Sequence, residues 1–181
     1  FNGGTLQNSG LTQVSVGDLV KNGSASATLM TMGSGVVLGG TNLCYFNIPS
    51  GSSLTLQDGI NTCSVSGYGS LVLTNGGTLI ISGTNTYTGD TIINGGTLAL
   101  VGVNCSISNQ AAIYLAATTS ALDLSANMDA SNNPNAMMSL LNGQTLSGIG
   151  TVTGAAQSVV GSTVAPGSGT SVGVLTVTSN T

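Results

Sequence analysis

Histidine, tryptophan, glutamate and arginine are missing from this 181-residue chain, and Lys21 is its single basic side chain beside five aspartates. Each gap removes a class of function. Phosphate backbones and anionic membrane surfaces are held by clustered Lys and Arg, so nucleic-acid binding is not expected. Without His, a nucleophilic Ser or Cys has no imidazole to take its proton, and Cys44, Cys63 and Cys105 have no partner for a zinc site. Only four Tyr and two Phe are available for stacking. The longest apolar run, "AAIYLAA" from Ala111 to Ala117, is far too short to cross a bilayer, so no membrane insertion is expected. The chain opens on Phe1 with no secretory leader visible, which reads as a processed or excerpted piece.

What fills about half the chain instead is Ser, Thr, Asn and Gly, the last numbering 28. These residues rank low as helix formers, because glycine is flexible and the polar side chains compete for backbone groups. Disorder is disfavoured by the blocks of Val, Ile and Thr and by the scarcity of charge. An all-β chain of short strands and tight turns remains.

The strands are written in a repeating vocabulary. "NGGTL" starts at Asn75 and again at Asn94, and "FNGGTL" opens the chain. "SLTLQDG", "SLVLTNG", "ALDLSAN" and "VLTVTSN" follow the same grammar, apolar residues alternating with Thr or Ser before a Gly or Asn corner. The alternation gives a strand with one buried face, and the corner residues supply positive φ. A β-sandwich would produce similar strands. Near-identical words at a fixed step favour a solenoid, in which each coil lies on the last and equivalent residues stack. With about 20 residues per coil and roughly 4.8 Å between strands, the chain would form about nine coils, wound right-handed as strand twist requires. Thr78 and Leu79 would then lie beside Thr97 and Leu98. Asn75 and Asn94 would form either a stacked amide pair or two independent turns. Cys44 and Cys63, separated by the same step as the two "NGGTL" words, are the disulfide candidates. Against that stands a reading of all three cysteines as small buried hydrophobes.

The stretch Gly76 to Gly102, "GGTLIISGTNTYTGDTIINGGTLALVG", resembles the autotransporter-associated β-strand repeat, also called the passenger-associated transport repeat. The likeness rests on two Gly-Thr-Leu strands flanking a corner of Gly83, Asn85, Tyr87 and Gly89, with Asp90 where a second glycine often follows. "LSGIGTVTG" (Leu146 to Gly154) and "STVAPGSGTSVGVLTV" (Ser162 to Val177) are similar, more weakly, to segments found after this repeat in large bacterial surface proteins. The resemblance implies a right-handed parallel β-helix, a location outside the cell or on the bacterial surface, and a structural role without an active site or cofactor.

Chemistry has little to draw on. Four of the five acids, Asp18, Asp58, Asp90 and Asp129, sit where turns or strand ends are expected, and Asp123 lies within a strand, facing outward. No "GGxGxD" calcium repeat occurs, and glycine-rich "GSGVVLGG" lacks the Gly-Lys-Ser/Thr ending of a phosphate loop. Thr-x-Thr at Thr84–Thr88, Thr151–Thr153 and Thr176–Thr178 raises ice binding, but the three do not share a place in the repeat. Sequons stand at Asn22 and Asn104.

The expectation is one β-solenoid over residues 1–181, clearest at 70–102, with an irregular loop excursion at 125–143 and further coils at 144–181. Functionally it is a non-catalytic surface rod or filament subunit, with no metal, assembling head to tail or joining an adjoining solenoid. Phe1, Leu6, Leu175 and Val177 mark the assembly ends, where strands lack a neighbour. The alternative is an adhesin or passenger segment that binds glycans or neighbouring surfaces.

Overall fold

A computed structural model describes residues 4–8, 14–16, 19–20, 27–31, 36–38, 43–58, 64–107, 111–133, 137–167 and 172–178, with side chains for 36–38, 43–56 and the described residues from 64 onward. Among them are short strands and no helix. The strands form the sides of a parallel β-helix. The first sheet holds eight, running in order through Gly4–Asn8, Ala27–Thr31, Ser53–Asp58, Thr78–Ile81, Gly96–Leu100, Ser120–Asp123, Thr151–Thr153 and Thr176–Thr178. The second holds seven, from Leu19–Val20 through Leu43–Asn47, Ser70–Thr74, Thr91–Asn94, Ile113–Leu115 and Thr145–Gly148 to Thr163–Pro166. A third side is broken into a three-stranded sheet and three strand pairs.

Alternation within each strand fixes what points inward. Thr78–Ile81 alternates half-buried and buried residues, and Leu79 lies beside Leu54 on one side and Leu98 on the other. The column continues through Leu122 to Val152, and all five side chains are fully buried. In the second sheet Phe46, Leu73, Ile93 and Leu115 form an equivalent buried column. Burial of each such side chain contributes on the order of 1.5–3 kcal/mol before entropy. Like stands over like because the strands are parallel and one spacing apart.

Coil length is less regular than the repeated words imply. The step from Thr78 to Thr97 is the shortest in the first sheet, and the step from Ala121 to Thr151 is more than half as long again. Eight strands in that sheet, not about nine coils, give a column about 34 Å long at roughly 4.8 Å per step. Extra residues go into corners, which can lengthen without disturbing the ladders. The longest corner falls in Ser125 to Gly143. It begins in Asn127–Met128, paired with Gly102–Val103, and its later part includes Met138–Ser139, paired with Ala156–Gln157. A turn at Asp129 bulges between, its carboxylate accepting hydrogen bonds from the backbone N–H groups of Ser131 and Asn133 and from the Asn133 amide. Those bonds, the Asn133 side chain's first, hold the carboxyl below its ordinary pKa.

Two threonine pairs do share a register, against expectation. Thr151 and Thr153 lie beside Thr176 and Thr178. The ladder ends there, because the preceding coil places Ala121 and Asp123 at those positions.

Candidate functional site

Among the described residues, the corner between Gly83 and Gly89 is held by the most specific set of buried contacts. Gly83 takes φ +71°, which opens the turn. Asn85 then points into the solenoid and is fully buried. Its Oδ1 accepts from the Val65 N–H at 3.0 Å, and its Nδ2 donates to the carbonyls of Gly83 at 3.1 Å and Ser106 at 2.9 Å. One amide thereby ties three coils together. Tyr87 is buried as well, its hydroxyl paired with Thr91, and burial pushes its pKa above the ordinary tyrosine value. Gly89 is required for space: a Cβ there would stand 2.5 Å from the Gly69 carbonyl oxygen.

Cys105 and Asn127 extend this corner. Asn127 is buried, and its amide accepts from the Cys105 N–H and donates to the Cys105 carbonyl, both at 2.9 Å. Cys105 lies between the two asparagines, its free thiol 3.5 Å from the Ile81 carbonyl and 4.0 Å from the Asn85 amide. Burial pushes that thiol up to about 12. The sequence grammar misses Asn127, since "SANMDAS" shares no word with "GTNTYTG"; only a buried-amide pattern at unequal steps could have found it.

The two "NGG" words do not superimpose. Asn94 closes a strand in register with Thr74 rather than Asn75, whereas Thr97 lies beside Thr78. The later corner between the sheets is therefore shorter by a residue. Asn75 is a turn residue at φ +74°, and its amide donates to Asn47 Oδ1 at 3.0 Å rather than stacking on Asn94. At the following corner Gly96 takes φ +94°, with the Gly77 carbonyl against the place a side chain would fill.

Cys44 is buried in register with Leu71, farther along the chain than Cys63, which lies outside the described residues. Of the expected ends, Phe1 also lies outside them, and Leu6 is in backbone register with Leu29. Leu175 packs partly buried against the core. Val177 lies beside Val152 but is 54% exposed, where Val152 is fully covered. Asp18 and Asn22 are outside the described residues, and Asn104 sits exposed in a turn. Asp90 Oδ1 accepts from the Ala112 N–H, and Asp123 Oδ1 from that of Ser125, so both shape corners. Among the described residues no three metal-ligating side chains come together.

Asn85 inside and Tyr87 behind it form the corner of the matched segment: residues 71–100 match the family model Passenger-associated-transport-repeat. The chain carries a passenger-associated transport repeat. The match spans both sheets, from Leu71 in the second to Leu100 in the first, so the repeat is one full coil together with the strands on which it closes. No curated protein and no solved structure matches the chain.

Proposed function

We propose that the chain is a non-catalytic segment of a bacterial surface rod that lengthens by stacking another coil on the strand Thr176–Thr178. The transport repeat supports a secreted, surface-exposed passenger. The observation that carries the stacking is the column through Leu98, Leu122, Val152 and Val177, whose side chains are fully buried until the last, which is 54% exposed. A strand laid along Thr176–Thr178 would cover Val177 and pair its outer backbone groups, and a second copy of the chain has strands of the right pattern to do so. Head-to-tail contacts of this kind do not close, and give filaments.

Electron microscopy and sedimentation of the purified chain test this reading. Concentration-dependent, rod-shaped oligomers that Val177→Lys abolishes are expected. A monomer at all concentrations, indifferent to Val177→Lys, would overturn it. A second reading, an adhesive passenger segment, is favoured by the tyrosines on the outside of the second sheet.

A further inference from the structure

The chain has four tyrosines, and three of them reach solvent. Tyr45 is 39% exposed and Tyr68 is 73% exposed, while Tyr114 is half-buried. Strand alternation turns Tyr45 outward, since its neighbours Cys44 and Phe46 are buried inside. Register then aligns Tyr45, Val72, Ile92 and Tyr114 in one outer column crossing four coils. Val72 points away from the core yet is only 4% exposed, between Tyr45 and Ile92. Beside this column runs a second, of Asn47, Thr74 and Asn94. None of these side chains is charged.

We propose that this face binds a neutral glycan chain lying along the rod, with Tyr45 and Tyr114 as stacking platforms at either end. The proposal rests on the adhesive reading and gives it a site and a ligand class. Sugar rings present apolar C–H faces, which stack on aromatic and aliphatic surfaces, and hydroxyl rims, which amides and hydroxyls satisfy. Both chemistries stand here side by side. The two rings are three strand spacings apart, about 14 Å, so a ligand touching both must span several sugar units.

The size of the patch decides against a second copy of the chain as occupant. A stable protein interface needs roughly 800 Å² from each partner. Fully buried aromatic side chains contribute about 150–250 Å² each. Two partly covered tyrosines, a half-buried Ile92 and an almost covered Val72 fall well short of that area. The site also lies on the side of the rod, so it stays open whether or not the ends assemble.

The test uses the 181-residue chain and neutral oligosaccharides of glucose, mannose and N-acetylglucosamine, titrated by NMR with ring signals of the tyrosines as readout. At least one hexasaccharide should shift the Tyr45 and Tyr114 rings and leave buried Tyr87 unmoved. The matching disaccharide should bind at least tenfold more weakly, as should the double variant Tyr45→Ser/Tyr114→Ser. Ring shifts in the unmodified protein make the test independent of whether the variant folds. Binding that moves neither ring, or that the double variant retains, overturns the site and leaves the adhesive reading standing. Failure of the unmodified chain to bind any glycan or cell surface overturns both. Ring signals that change only with protein concentration would mean self-association through this face, and would also overturn the proposal.

Discussion

Replacing Asn85 with alanine tests whether buried amides hold neighbouring coils in place. The substitution strands the Val65 N–H inside the solenoid and takes a donor from the Gly83 and Ser106 carbonyls. A buried group left without its partner loses about 1–3 kcal/mol. The Gly83 carbonyl keeps the Ser106 N–H as a second donor, and Ser106 lies in the strand pair that the backbone still holds, so most of the cost falls on the Val65 N–H. The loss should total on the order of 1–3 kcal/mol. Asn94→Ala removes the same kind of side chain from an exposed position and should stay within about 0.5 kcal/mol of the parent. Because solenoids unfold coil by coil, amide hydrogen exchange is a better assay than a single melting temperature. The Val65 amide should lose its protection in Asn85→Ala, and the Cys105 amide, held by Asn127, should keep more of its own. A global loss below about 1 kcal/mol, with Val65 still protected, would mean that the Asn85 amide does not hold the coils.

Glycine substitutions should divide by space. Gly96→Ala places a Cβ 2.3 Å from the Gly77 carbonyl at φ +94° and should destabilise by several kcal/mol in urea titration. Gly143→Asn, at φ +83° with nothing within 4 Å, should be tolerated, asparagine being the residue best suited to that conformation. Alkaline stability should fall for a related reason. Cys105 and Tyr87 have folded pKa values raised above their unfolded ones, so their contribution is intact below the unfolded value and is lost as pH climbs. For Cys105 the decline begins near 9 and runs to about 12, at a slope of about 1.4 kcal/mol per pH unit. Cys105→Ala should remove the Cys105 share and leave the part that begins near 10 with Tyr87, and a parent profile flat over that range would contradict the account.

Much of the fold was legible because strand interiors are written for burial. Leu79 and Leu98 stand in identical words, and their alternation with Thr and Ile shows which face is inside. Corners are written differently, since only a few positive-φ or close-packed positions constrain them. Asn75 and Asn94 therefore share a word but not a conformation. The step from Thr78 to Thr97 also proved the shortest in its sheet, because insertions such as the Asp129 turn lengthen a corner without touching the ladder. That variability hid the two Thr-x-Thr pairs that lie together, Thr151–Thr153 and Thr176–Thr178, whose separation exceeds the step of the repeated words. It hid the tyrosine column for the same reason. Tyr45, Val72, Ile92 and Tyr114 are unequally spaced along the chain, and no fixed period connects them. Asn85 was readable as a corner residue through its motif, but its role in joining coils required the third dimension.

Methyl NOE spectroscopy of leucine-labelled protein tests the in-register stacking most directly. Contacts from Leu54 to Leu79, Leu79 to Leu98 and Leu98 to Leu122 are predicted, as an unbroken series along the first sheet. Absence of the Leu79–Leu98 contact, or α-proton contacts of antiparallel type between their strands, would contradict it.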